Sequence, residues 1–340
     1  MINVAIICGG RSSEHEISCV SASGIISAID RSKYLPSLIG ITKSGNWVSL
    51  PTDTKFEIKD GVLPQIPESA PKIAIDSIKA DVIFPILHGP YGEDGTVQGL
   101  LEMLDIPYVG SGVLASAVGM DKHFAKQIFA AHGLAVAEGI AIREGETLSN
   151  LVNDHGLSFP LFVKPARGGS SRGTHKVKSA SELETAVKDA FKYDHKVMLE
   201  KAIVGREIEC AVLERDGVIE CSPPGEIKID PKFEFYDFEA KYLDSATTVI
   251  APAEIKRRED VKAAAIEAFK ALGCSGLARV DFFYTRDDQI IINELNTMPG
   301  FTPTSVFPKL WSINGLSYSE IISALIETAK RRTNSVISGN

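Results

Sequence analysis

Cysteine is scarce and poorly placed for cross-linking. The five residues Cys8, Cys19, Cys210, Cys221 and Cys274 are odd in number, scattered and form no C-x-x-C pair, which argues against a disulfide frame or a cysteine zinc site and points to reduced thiols in the cytosol. Positive charge is in deficit too. Thirty-six basic against 44 acidic side chains leave a formal net charge of -8, a poor footprint for nonspecific binding to nucleic acid or to an anionic membrane. Any anionic ligand must therefore be held by local positive charge. No apolar run approaches the ~20 residues that span a bilayer, and Met1 to Ile7 carries no basic leader; the expectation is a soluble, cytoplasmic protein. There is no internal repeat. With 340 residues, 44% of them hydrophobic and 24% charged, the chain has ordinary globular composition and length for two or three domains.

The opening reads as strand, glycine turn and helix. Asn3 to Ile7 is apolar and β-branched, Gly9-Gly10 breaks it, and Ser13-Glu14-His15-Glu16 has the S-x-x-E form of a helix capping box, with Glu16 as partner of Ser13. Leu35 to Thr42 predicts a second strand, and Ala80 to Leu87 a buried parallel one. The polar stretch His88 to Gly95 then falls at a strand's carboxyl end, where open α/β sheets bind ligands. A dinucleotide site fits poorly, because Gly9 to Glu14 does not satisfy G-x-G-x-x-G and the second strand ends without an acidic residue. A helix follows over about 121–131, closed by Gly133. Strands are predicted at Leu161 to Lys164, Lys196 to Lys201 and Arg206 to Leu213, and helices over about 181–193 and 258–272. The polar aromatic stretch Phe233 to Tyr242 reads as a long loop of the kind that forms lids, and Lys330 to Asn340 as a frayed end.

The most informative stretch runs from Leu277 to Asn296. Two apolar runs flank an Asp-rich turn, so it folds as an antiparallel hairpin centred between Asp287 and Asp288. That register sets Asp281 across from Glu294 and Arg279 across from Asn296, all on one face. Directly opposed carboxylates repel. Either a hard cation lies between them, with Mg²⁺ suited to two carboxylates and an amide oxygen, or Arg279 neutralises them as a structural ion pair. Lys164-Pro165-Ala166-Arg167-Gly168-Gly169-Ser170-Ser171-Arg172-Gly173 is a strand end followed by small residues between basic ones. It is either a phosphate cradle, though not of the Walker pattern, or a surface turn with incidental charge. Glu200-Lys201 and Glu207 suit a hinge that meets adenine and ribose, or are solvated strand glutamates. Glu14 has a bland reading as well, in favourable interaction with the first helix's dipole. His15, His123, His132, His155, His175 and His195 lack metal-ligand spacing and read as surface or packing residues; His88 stands apart, at a strand end beside glycines.

Assembled, these segments resemble the D-alanine-D-alanine ligases of the ATP-grasp superfamily over nearly the whole chain. Gly9 to Ser18 is similar to the family's first signature and His88 to Gly99 to its second. Lys164-Pro165 with Gly169-Ser170-Ser171, Glu239 to Tyr242, Arg279-Val280-Asp281 and Glu294 to Gly300 complete the set. The resemblance implies an α/β N-terminal domain, Rossmann-like with a parallel sheet, followed by an α+β ATP-grasp fold. The domains would be 1–120, a central ATP-grasp subdomain 121–200 and a C-terminal one 201–332, with 333–340 a frayed tail.

It also implies roles. Lys122, Lys164 and Lys241 would contact ATP phosphates, Glu200, Lys201, Ala202 and Ile203 would form the adenine hinge, and Glu207 would hold the ribose. Asp281, Glu294 and Asn296 would bind two Mg²⁺ or Mn²⁺ ions. Glu14 would anchor the ammonium of the first D-alanine, positioned by Ser170 and Tyr242, with His88 nearby. Arg279 and the backbone N–H of Gly300 would stabilise an oxyanion, and Ser305 with Val306 would receive the second carboxylate. The implied activity is ATP-dependent ligation of two D-alanines through an acyl phosphate, for peptidoglycan synthesis, by a homodimer. D-Lactate or D-serine as second substrate, and a catalytically silent nucleotide-binding regulator, are the alternatives; Tyr242 speaks against D-lactate. Arg172 departs from the small apolar residue usual in the family.

Overall fold

The apolar run that opens the chain becomes the centre of a sheet. The computed structural model describes residues 1–58, 62–148, 151–228 and 248–332. In it Ile2–Gly9 forms β1, His15–Ala28 α1, Tyr34–Ile41 β2, Trp47–Leu50 β3 and Val82–Pro85 β4. The order is β3-β2-β1-β4, with β1 parallel to both β2 and β4 and only the edge strand β3 antiparallel. Val4, Ile6 and Cys8 point into one core while Ala5 and Ile7 point into another, so no polar position interrupts the strand. Thr96–Met103 (α2) packs on the second face, followed by Val113–Met120 (α3) and Lys122–Ala131 (α4).

Two antiparallel sheets carry the rest. Gly139–Arg143 (β5), Leu161–Pro165 (β6), His175–Val177 (β7) and Lys196–Lys201 (β8) pair in the order β5-β8-β6-β7, packed with Leu151–Asp154 (α5) and Ala180–Ala190 (α6). Gly205–Arg215 (β9), Val218–Cys221 (β10), Gly225–Lys228 (β11), Thr248–Ile250 (β12), Leu277–Thr285 (β13) and Ile290–Asn296 (β14) form the third, in the order β12-β11-β9-β13-β14 with β10 on β9. Arg258–Ala271 (α7) covers it with Val261, Ala265, Ala268 and Phe269. Val306–Ile313 (α8) and Tyr318–Arg331 (α9) end the described chain. Among the described residues no helix is long and apolar enough to cross a membrane.

Three expectations change. No capping box forms at Ser13: α1 starts at His15 with no side-chain cap, because tertiary partners claim the residues. Ser12 Oγ donates to the His88 carbonyl at 2.7 Å and accepts from Glu14 N at 3.2 Å, while Glu16 pairs with Lys43 at 2.5 Å. Among the described residues a capping box forms instead between Ser317 and Glu320, at the start of α9. The chain end does not fray at Lys330: Arg331 pairs with Asp216 at 2.6 Å, and Arg332 lies over the Tyr108 ring at 4.4 Å and donates to the Gly110 carbonyl. The hairpin register is right at Asn296, Leu295 and Glu294, but a bulge follows, so Phe282 pairs with Ile292 and Asn293 is the extra residue. The loop Phe233 to Tyr242 and the tail 333–340 lie outside the described residues.

The hydrophobic cores do not follow sequence order. One continuous core joins Val4, Ile6 and Phe84 of the first sheet to Phe307, Leu310 and Trp311 of α8, to Ile322 and Leu325 of α9, and to Leu213 and Leu277 of the third sheet. Truncating Leu325, fully buried there, to alanine should cost about 2–5 kcal/mol. Trp47 on β3 and Trp311 on α8 are the chain's two tryptophans, so single-tryptophan proteins can report on each region. In urea both should shift to the same lower midpoint; a shift at Trp311 alone would mean that the first sheet is stable by itself.

Candidate active site

Two cavities lie side by side, of about 510 and 480 Å³, and Lys122, Gly168, Ser170 and Glu294 line both. The first opens at the carboxyl ends of β1 and β4, as expected for ligands of an open parallel sheet. Glu14 is buried in its wall and accepts a hydrogen bond from Ser170 Oγ. Glycine on both sides leaves that carboxylate its place: a Cβ at Gly89 or Gly169 would lie 2.6 or 2.8 Å from Glu14 Oε2, which would have to shift.

His88 is buried beside it. Its Nδ1 faces the Met298 carbonyl at 3.0 Å and must donate there, which leaves Nε2 to accept from the Ser21 hydroxyl at 3.1 Å. Burial pushes the imidazole pKa down against the pull of Glu14, so the ring is neutral. Glu93 accepts from Gly89 N at 2.6 Å and Met298 N at 3.2 Å. Burial, reinforced by the charge of Glu14, pushes its pKa up to about 8. Across the cavity lie Arg279, Asn296, Gly300 and the first residues of α8, Ser305 and Val306. Ser305 caps α8 by position only; its Oγ accepts instead from Thr302 N at 3.0 Å.

The second cavity lies between the two antiparallel sheets. Lys164 stands at the end of β6, and the loop after it holds Ser170 and Ser171 at φ of 53° and 56°. Left-handed backbone at non-glycine residues costs roughly 1–2 kcal/mol each, and such strain gathers at ligand sites. Lys201 N and Ala202 N donate to the carbonyls of Glu138 and Pro160; among the described residues Ile203 N–H donates to no backbone carbonyl. Glu207 faces the same space from β9. Glu200 is not a solvated strand glutamate: it is buried, one oxygen on Lys126 and the other 2.6 Å from Lys164 Nζ. Burial alone would raise its pKa, but the two ammoniums outweigh that and hold it at about 2.

Where the cavities meet, Asp281 stands across from Glu294 and Arg279 from Asn296. Arg279 donates to Asp281 Oδ1 and Oδ2, each at 2.7 Å, and its Nε lies 3.1 Å from Glu209 Oε2. Asn296 Nδ2 donates to Asp281 Oδ2 at 3.1 Å, and Lys122 Nζ is 3.2 Å from Glu294 Oε2. The bulge brings Asn293 to the second cavity, with its Oδ1 3.4 Å from Lys164 Nζ. Of the ion pairing offered by the sequence as one alternative, the Arg279–Asp281 half is formed, while Glu294 is met by Lys122; the oxygen donors stay together. Among the described residues no group of three His, Cys, Asp or Glu could hold a metal unaided. Two carboxylates and an amide do suit Mg²⁺, which keeps waters and takes further oxygens from substrate phosphates.

Every residue to which the resemblance gives a role lines one cavity or both, except Lys241 and Tyr242, which lie outside the described residues. Four others went unread. Lys126 follows Lys122 by one helical turn and could have been found by that spacing. Glu93 sits within a quoted signature, Glu209 is set beside Asp281 by strand pairing, and Asn293 arrives only through the bulge.

Residues 3–111 match the family model for the D-ala D-ala ligase N-terminus and residues 128–327 that for the C-terminus. The chain belongs to the D-alanine-D-alanine ligase family. A D-alanine-D-alanine ligase from Frankia casuarinae is 46% identical, with 97% of each chain covered. Among solved structures, the VanG D-Ala:D-Ser ligase from Enterococcus faecalis superposes with a TM-score of 0.82 at 35% identity, covering 96% of this chain and 99% of that one. The D-alanine-D-alanine ligase from Bacillus anthracis complexed with ATP gives 0.76 at 31%, covering 97% and 98%. The resemblance read from the sequence and the ATP-grasp fold it implied are borne out.

Glu93 has a measurable consequence in this ligase. The folded protein keeps a proton that the unfolded chain releases near pH 4.5, so stability should fall as pH rises from 4.5 to about 8. Glu93→Gln should flatten that drift in urea midpoints taken across this range; an unchanged slope would assign the drift to other groups.

Proposed function

We propose that this protein joins two D-alanine molecules into D-alanyl-D-alanine using ATP, through an acyl phosphate, releasing ADP and phosphate for peptidoglycan precursor synthesis. The observation that carries the reading is the meeting of two cavities at one cluster of carboxylates and cations. One cavity suits a nucleotide and the other two small zwitterions, with the reacting atoms where they join.

In the second cavity Lys164 and Lys122 neutralise phosphate charge, together with Lys241 as the resemblance implies. The Ile203 N–H meets the adenine edge beside the backbone of Glu200, Lys201 and Ala202, and Glu207 takes the ribose hydroxyls. In the first, Glu14 anchors the ammonium of one D-alanine, fixed by Ser170 and, as the resemblance implies, by Tyr242, and neutral His88 lies beside that amino acid. Its carboxylate, a poor electrophile, then faces the γ-phosphate. Ser305 and Val306, at the positive end of α8, receive the carboxylate of the second D-alanine. The carboxylate of the first D-alanine attacks the γ-phosphorus and ADP leaves. The second amine, having lost a proton, then attacks the acyl phosphate carbonyl, and the tetrahedral oxyanion forms beside Arg279 and the Gly300 N–H before it collapses with loss of phosphate. Asp281, Glu294 and Asn296 would hold Mg²⁺ or Mn²⁺, whose positive charge, when bound, offsets the charge developing on the transferred phosphoryl group. ATP as substrate and a peptidoglycan precursor as product favour the cytoplasm. The homodimer rests on the resemblance.

The reaction is tested by phosphate release from ATP and Mg²⁺ with D-alanine, L-alanine or no amino acid, with D-serine and D-lactate as competing acceptors. Release should depend on D-alanine, and the dipeptide should dominate the products. Release indifferent to D-alanine would overturn the reading, and predominance of a mixed product would redirect it to D-alanine-D-serine or D-alanine-D-lactate ligation.

Asp281→Asn and Glu294→Gln should each raise the Mg²⁺ concentration needed for half-maximal turnover while leaving the urea midpoint near that of the parent. An unchanged Mg²⁺ requirement in both would return these carboxylates to a purely structural pairing with Arg279 and Lys122.

A further inference from the structure

Glu200, one residue before the end of β8, has its side chain as well as its backbone inside the protein. It is 3% exposed, and each oxygen serves a different lysine: Lys126 from α4 takes Oε1, and Lys164 from β6 takes Oε2 at 2.6 Å. The two lysines differ in outlook. Lys164 lines the second cavity, whereas Lys126 lines neither. A buried carboxylate that loses its partner is strongly destabilising. If Lys164 is to turn its ammonium toward a phosphate, Glu200 must retain another cation.

We propose that Lys126 is a positioning residue for ATP binding, holding the charge of Glu200 so that Lys164 can leave it for the nucleotide phosphates. The inference rests on the reading of Lys164 as a phosphate contact. The electrostatics agree. Burial, together with repulsion from Lys164, pushes the Lys126 pKa down to about 8 despite its ion pair, while Glu200 is held at about 2. The trio therefore carries one cation more than its carboxylate can satisfy, and the excess stands at the edge of the cavity.

Removing only the Lys126 charge should have an indirect effect. In Lys126→Met, Glu200 is left with Lys164 alone and draws it away from the phosphates. In the double variant Lys126→Met with Glu200→Gln, nothing remains to withhold Lys164, so ATP binding should recover. A merely structural role would make the second substitution add to the damage.

The experiment measures ATP affinity by calorimetry, KM for ATP and D-alanine, kcat and melting temperature. It uses the full-length protein and its Lys126→Met, Lys126→Arg, Glu200→Gln, Lys126→Met/Glu200→Gln and Lys164→Ala variants. Lys126→Met should weaken ATP by about tenfold, equivalent to about 1.4 kcal/mol, with the KM for D-alanine and kcat little changed. Lys126→Arg, which keeps a cation in place, should bind ATP nearly as the parent does. The double variant leaves Lys164 the Asn293 amide oxygen at 3.4 Å and should bind ATP within about threefold of Glu200→Gln alone, less than about 0.7 kcal/mol away; that comparison tests the idea even if Lys126→Met folds poorly. Parental affinity in Lys126→Met, or a double variant more than about threefold weaker than Glu200→Gln alone, would overturn the role of Lys126. Parental affinity in Lys164→Ala would instead overturn the phosphate reading of Lys164, and this inference with it.

Discussion

Asp281 and Glu294 face each other directly across two paired strands, and Glu209 stands beside Asp281 on the next strand over. A row of three carboxylates on one face of a sheet is an electrostatic burden, because like charges across a ladder repel and burial deepens the cost. The protein answers with cations from elsewhere. Arg279 reaches Asp281 and Glu209 from within the sheet, and Lys122 reaches Glu294 from the start of α4. The cations that make the acidic row tolerable are thus the ones that stand where the two cavities join. Glu200 repeats the pattern one sheet away, with lysines from α4 and β6 closing on a single carboxylate. The positive charge that a net-acidic chain needs for an anionic ligand is therefore concentrated by its own buried acids.

That arrangement decides what could be read from the sequence. The hairpin was legible because an Asp-rich turn fixes its centre and side chains alternate outward from it, which is enough to oppose Asp281 to Glu294. The bulge at Asn293 was not, since Ile290-Ile291-Ile292 shows no alternation that an extra residue would break. The glycines at 89 and 169 were legible as loop residues, but their reason, a carboxylate that would meet any Cβ, lies in Glu14 far away in sequence. Local rules failed where distant groups outbid them. Ser13-x-x-Glu16 looks like a cap, yet Lys43 holds Glu16. Glu200 looks solvent-facing, yet β8 is an inner strand of its sheet and α4 brings Lys126 onto it. A single sequence does not say which strand is central. The helices α8 and α9 went unread as core elements because nothing local tells that they pack on the first strands of the chain.

That last packing bears on how the protein is made. The face of the first sheet carrying Val4, Ile6 and Phe84 is shared between α1, available at once, and α9, which is encoded more than 230 residues after β4. At 5–20 residues per second the ribosome takes roughly 10–50 s to cover that distance. Throughout that interval the apolar residues of that face lack part of their cover, and they are surface of the kind that chaperones bind and that misassembles at high concentration. The long-range contact that unites the finished molecule is the last to be made, so synthesis itself includes a period in which most of the chain exists and the core around its first strands cannot yet close.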